Sequence, residues 1–413
     1  MGMYDAGLPK AQATVNGIPI GGTLSFQYTQ NVIKLGDNSE WLASGVLVAA
    51  SLYPAAAKLE HLRAHALSTI SAGATASDVK KRLATDGNGV YILADNDATN
   101  VRRSTDYGAT WSNVAHNLST NVTDVIYIGG GVFVLCGANG VNLVSTRSTD
   151  SGATFGGAHN VLVAGGSQNG VAMLAWSGGL VWIAGGTADN ANFAASSAAG
   201  VSGTWTNRSA NGAIGATIAL WAGNGRAYLT GNTTGISIAA DGGTFAAGGT
   251  LPFSAVADTR GGVAPNGNVV VSNGSTVFAY SADGGVTWSA QITLPDQERF
   301  LPNSFFTVDN RLLAVGVAGG GNVGVGLVST LDGINWASQC TTPDSSQYNT
   351  GTASNIGAAG DSRTLVIAPP SVSTIRRASS TWDVSNYIGK WNIGYSAGTG
   401  ATNGTPNLYY RVK

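Results

Sequence analysis

Seven times along the chain, at intervals of 40 to 50 residues, a Gly- and Ser-rich turn runs into a Trp or Phe. The aromatic anchors are Trp111, Phe155, Trp205, Phe245, Trp288, Trp336 and Trp382, with gaps of 44, 50, 40, 43, 48 and 46 residues. A unit of this length cannot bury its apolar residues alone. Neighbouring copies must share a core, so a period in the forties signals a propeller or a solenoid.

Four copies read as one motif, S-x-D-x-G-x-T-W, or a near miss of it: STDYGATW (Ser104 to Trp111), STDSGATF (Ser148 to Phe155), SADGGVTW (Ser281 to Trp288) and STLDGINW (Ser329 to Trp336). The Asp carboxylate can cap N–H groups of a tight turn while Gly takes the positive φ that other residues resist. Thr and the aromatic start the next strand, and the ring can wedge between units. Asp106, Asp150 and Asp283 stand in register, and AADGGTF keeps Asp241 but is one residue short. In the sixth copy Leu331 fills the Asp slot, and the third (VSGTW) and seventh (ASSTW) have no Asp. That decay makes the motif a folding device rather than a seat of chemistry.

Within a period an apolar run, a Gly or Asn turn, a second run, a variable loop, a third strand and a short fourth strand recur. Examples are TDVIYI, VFVLC and NLVSTRS in the second unit and NSFFTV, RLLAV and VGLVST in the sixth. Four strands per unit make a propeller blade. The reading is therefore all-β: a seven-bladed β-propeller of four-stranded antiparallel blades over residues 77–388, with six blades as the alternative count because the seventh repeat has lost its Asp. Residues 1–76 are expected to form a small attachment or oligomerisation region of strands and a helix starting at Pro54. Residues 389–413 are a tail ending in a strand, NLYYRVK, that could pair with the N-terminal segment.

The S-x-D-x-G-x-T-W turns resemble the Asp box found in sialidases and many other β-propellers. The chain ends carry a second resemblance. EWLASGVLVAASLYPAAAKL is similar to a segment common in tail fibre and tail tip proteins of tailed bacteriophages, and LYYRVK is similar to the L-Y-M-x-I-K ending of such fibres. This resemblance implies a virion protein made in the bacterial cytoplasm that binds a bacterial surface receptor, a glycan or a pilus, together with other tail proteins. Homotrimers are usual for such fibres, although no heptad here specifies one.

Composition agrees with that expectation. Charged residues are 10% and net charge is −1, which gives no footprint for nucleic acid or an acidic membrane. The short basic clusters Lys80-Lys81-Arg82, Arg102-Arg103 and Arg376-Arg377 are read as solvated strand faces. No secretory signal is visible, and the uncharged stretch from Trp41 to Ala57 is short for a membrane span. Cys136, in VFVLC, reads as a buried thiol, while His61 and His65, at i and i+4, lack a third ligand; no metal and no cofactor are expected.

A sialidase would need three clustered arginines, a Tyr nucleophile with a Glu partner, and Phe-Arg-Ile-Pro before the first box. Here RFLP at Arg299 to Pro302 is scrambled and late, and the glutamates are Glu40, Glu60 and Glu298. Paired-carboxylate hydrolysis would have to draw on Asp296 and Glu298. The expectation is a non-enzymatic binding protein, with a glycan-processing propeller or a structural virion scaffold as alternatives. The loops opposite the Asp-box face are its expected binding surface, at 94–100, 186–192, 295–300 and 344–349. Asp97, Asp189, Asn190, Arg208, Arg299 and Tyr348 are the receptor-binding candidates.

Overall fold

The computed structural model describes the ring from Ser68 to Ala378 except residues 77–80, 140–141, 164–171, 188–189, 201–202, 209–216, 232, 241, 256–258, 274–276, 294–303, 309, 318–324, 343–355, 362–363 and 370–371. At the ends it describes the backbone of short strands between 14 and 42 and of strands at 391–396 and 407–412. The Pro54 helix, the His61/His65 pair and Trp382 lie outside the described residues.

Seven four-stranded antiparallel sheets follow one another as blades. Their inner strands are Arg82–Thr85, Val122–Tyr127, Ala172–Ser177, Thr217–Gly223, Arg260–Val263, Ser304–Val308 and Gly357–Gly360. These neighbour one another in cyclic order, and the seventh returns to the first. Second strands such as Tyr91–Ala94, Val269–Ser272 and Leu365–Ala368 are buried at every position. Both of their faces are covered by adjacent blades, so they read as unbroken apolar runs rather than alternating ones.

The core is divided into seams between blades, six of which hold one of the described repeat aromatics. Trp111 packs with Tyr91, Val366 and Ile375 between blades 7 and 1, and Phe155 with Ile92 and Phe133 between blades 1 and 2. Phe245 meets Trp182 edge-on at 5.6 Å, and Trp336 meets Phe278 at 5.4 Å.

The seventh blade departs from the sequence reading. Its fourth strand is Ser68–Ser71, from before residue 77, pairing Thr374↔Ser71 through Arg377↔Ser68; the segment STWDV that continues the seventh repeat lies outside the described residues. The ring therefore begins before residue 77, and contacts divide the chain into 65–380 and a unit of 1–64 with 381–413. In that second unit Ser25–Gln27, Val32–Lys34 and Glu40–Leu42 form one sheet. The C-terminal strand Asn407–Val412 takes Trp391–Ser396 as its partner, rather than the N-terminal segment.

Candidate functional site

The repeat turns fold as the motif dictates. Ser104 Oγ donates to Asp106 Oδ1 at 2.8 Å and accepts the Gly108 N–H at 2.9 Å. Asp106 also accepts the Thr110 N–H and hydroxyl at 2.8 and 2.6 Å, and Trp111 Nε1 donates to Gly108 O. The Ser and Thr bonds recur around Asp150 and Asp283, and Trp288 Nε1 donates to Gly285 O, whereas Phe155 has no ring N–H to donate. The Ser148 and Thr154 hydroxyls lower the Asp150 carboxyl to about 2, and Thr287 and Ser281 lower Asp283 further. Desolvation opposes the same shift at Asp106, where the Thr110 and Ser104 bonds outweigh it.

The sixth turn is a shortened form rather than a decayed one. Thr330 takes the Ser role, bonding Asp332 Oδ1 at 3.0 Å and the Gly333 N–H at 2.8 Å, while Asn335 Nδ2 replaces the Thr hydroxyl. Each turn docks on the preceding blade. A Cβ on Gly108 would stand 2.8 Å from Val366, and one on Gly152 2.5 Å from Ile92.

Apart from Lys80, which lies outside the described residues, the basic clusters are bonded into the ring rather than left to solvent. Arg377, Arg103, Arg147 and Arg226 each donate to a turn carbonyl of the next blade, at Tyr107, Ser151, Ala199 and Gly284 respectively. Arg376 bonds Thr69 on the closing strand at 2.7 Å. Lys81 is fully buried, and its Nζ donates to Val372 O. Local sequence does not reveal which carbonyls a neighbouring blade will offer, whereas the Arg-Ser or Arg-Ala step in RST, RST and RRA marks three of these staples.

Of the receptor-binding candidates, Asp189, Arg299 and Tyr348 lie outside the described residues, and Asn190 is placed only as a strand end paired with Thr187. Asp97 sits in the loop after Tyr91–Ala94. Burial opposes its charge, but the Thr99 and Asn100 amides, the Thr99 hydroxyl and the Arg102 guanidinium at 2.8 Å hold it far below the usual carboxylate range. Arg102 also bonds Gly73 O, and Asp95 accepts the Thr75 N–H, so this cluster clasps the closing segment. Beside it, the buried His116 accepts the Leu118 N–H at Nδ1, which leaves Nε2–H to donate to Asp97 O at 3.1 Å. Arg208 is elsewhere: its Nε donates to Ser196, and its backbone bridges Ala194 and Phe245 between blades 3 and 4. Asp97 and Arg208 thus do not converge.

The inner strands enclose a recess of about 490 Å³ on the ring axis. Its charged lining, among the described residues, is Arg82, Asp124 and Arg260. The three occupy one register, opposite Ala94, Cys136 and Ser272 of their second strands. Blades 3, 4, 6 and 7 place Met173, Ala219, Ser304 and Gly357 there. Ala94 and Ser272 end their strands, so this layer lies toward the loops that join second to third strands, opposite the repeat turns.

Asp124 accepts the Val125 N–H at 2.8 Å and the Leu174 N–H at 2.9 Å. Burial raises its carboxyl, against the pull of Arg82, those amides and Arg260. Burial lowers Arg82, which Asp124 partly restores. Such a group can bind an anion or a row of hydroxyls. Paired-carboxylate hydrolysis would need a second acid from beyond the described lining. The sequence reading missed this trio, although a signal exists: each charge stands nine residues before the second apolar run, at YILA, FVLC and VVVS.

No family model and no curated protein matches the chain. Solved propeller structures do. A streptogramin B lyase structure superposes with a TM-score of 0.56 at 12% identity, covering 76% of this chain and 98% of that one. Virginiamycin B lyase from Staphylococcus aureus gives 0.53 at 10%, covering 76% and 99%, and a chain of the mitotic checkpoint complex gives 0.52 at 13%, covering 82% and 99%. At such identities the likeness is one of fold, which hosts unrelated functions.

Proposed function

We propose that this chain is a non-enzymatic receptor-binding or tip protein of a bacteriophage tail, whose ring takes up a bacterial surface glycan at the mouth of the axial recess. The observation that carries the binding reading is the layer of Arg82, Asp124 and Arg260, the charged groups among the described residues lining the recess, at its end nearer the loop face. The repeat aspartates, by contrast, are engaged in their own turns. The tail assignment rests on the likeness of EWLASG and LYYRVK to tail fibre segments and on the low charge of the chain.

The test is to incubate purified protein with a panel of bacterial cells and with their isolated surface polysaccharide, following retention and released oligosaccharide. Retention without released sugar is the expected outcome. Released fragments would replace binding by hydrolysis, and retention on no cell type or polysaccharide would leave a scaffold role in its place.

A further inference from the structure

Resting on the reading of the ring as glycan-binding, we infer that the axial recess, below its charged layer, holds a neutral, hydroxyl-bearing sugar ring by the open main-chain edges of the inner strands. Every inner strand pairs on one side only, with the second strand of its own blade. Its other edge faces the axis, and there the N–H and C=O of every second residue point away from the sheet.

The hairpin turns fix which residues those are. The Asp86, Ile128 and Ala264 amides bond across their turns to Val90, Val132 and Asn268, and two-residue turns close on the pairs Ser177↔Leu180, Gly223↔Arg226 and Val308↔Arg311. These inner-strand ends face the second strands, so residues an odd step before them face the axis. Three steps back stand Leu83, Val125, Leu174, Leu220, Gly261 and Phe305, all on the recess wall. One step back, Trp176, Ala222, Val263 and Thr307 form a second layer nearer the repeat turns.

Some of these edges are already capped. Val125 and Leu174 donate to the two oxygens of Asp124. Nearer the loop face, Arg82 and Arg260 cap the Lys81 and Thr259 carbonyls at 2.9 and 2.6 Å, and the Thr123 hydroxyl caps Ala172 O at 2.8 Å. The amides of Leu83, Leu220, Gly261 and Phe305 have no acceptor among the described residues. Such groups require a partner from outside the chain.

Donors and acceptors stand side by side along these edges, and that mixture decides the ligand class. A hydroxyl both donates and accepts, whereas a carboxylate only accepts and an ammonium only donates. A recess of about 490 Å³ suits one or two sugar rings, and the half-buried Trp176 on its wall offers them an apolar face.

The experiment adds the methyl glycosides of glucose, galactose, mannose and N-acetylglucosamine to the full chain and follows its backbone amides by NMR. At least one glycoside should shift the Leu83, Leu220, Gly261 and Phe305 amides and slow their exchange with solvent, while Val125 and Leu174, already bonded to Asp124, change little. Glycosides that shift none of the four leave these edges to water alone and overturn the inference without recourse to any variant. Leu220→Pro and Leu220→Ala remove the same side-chain packing, yet only proline also removes the axis-facing N–H, which no ladder bond uses. With both variants checked for folding, the proline one should bind about three- to tenfold more weakly than the alanine one. Equal binding by the two would overturn the main-chain role.

The cell experiment separates this inference from the reading beneath it. Glycoside binding at these amides without cell retention would keep the site and remove the receptor role. Retention on cells, with no glycoside reaching these amides, would do the reverse.

Discussion

Gly152 shows how much one residue of the repeat decides. Its φ of 75° is left-handed, and the space where a Cβ would sit is taken by the Ile92 methyl of the preceding blade, 2.5 Å away. Backbone strain and overpacking act together, so Gly152→Ala should cost about 2–5 kcal/mol, read from denaturant unfolding. Gly157→Ala, with nothing within 4 Å of the added carbon, should stay within about 0.5 kcal/mol of wild type. Equal effects at both positions would show that the docking contact is unimportant. At this scale the sequence was legible wherever the motif kept its spacing. It misled at Leu331, because Thr330 and Asp332 rebuild the same turn one residue shorter, with Asn335 for Thr.

Among elements, the first three strands of every blade were readable from apolar runs and turns, because a run buried on both faces is dictated by its local residues. The closing strand was not. Ser68–Ser71 reads STIS, and nothing local marks it as the partner of Thr374–Ala378, since pairing across about 300 residues leaves no periodic trace. The local echo ASSTW was the more persuasive candidate. Removing residues 1–64 should leave the ring's cooperative unfolding intact, whereas removing 1–76 should lower its midpoint sharply or abolish folding. It strips the fourth strand of blade 7 together with the Thr75 and Gly73 contacts to Asp95 and Arg102. A ring that melts identically in both truncations would show that the seam is dispensable.

For the whole molecule, the seam also sets a dependence on alkali. Burial lowers Lys81 from 10.5 to about 8, with Asp95 pulling up and Arg102 pushing down. Between pH 8 and 10.5 the unfolded chain holds a proton that the folded ring has released. Folding is therefore favoured by rising pH through that window. Relative to Lys81→Met, the wild type should gain up to about 3 kcal/mol from pH 8 to 10.5. A difference that stays flat with pH would mean that Lys81 titrates normally. The axial layer belongs to this scale too. Arg82, Asp124 and Arg260 lie up to 178 residues apart, and only closure of the ring makes them one site.

A ring fastened by its own first strand also has a timetable. Ser68–Ser71 leaves the ribosome about 300 residues before Thr374–Ala378 exists. At translation speeds of roughly 5–20 residues per second, that wait lasts about 15–60 s. Throughout it Ser68–Ser71 lacks its pairing partner, open to any passing strand, and the end blades of the nascent arc leave an apolar face uncovered. Synthesis of the last blade, rather than any earlier folding event, is what ends the exposure.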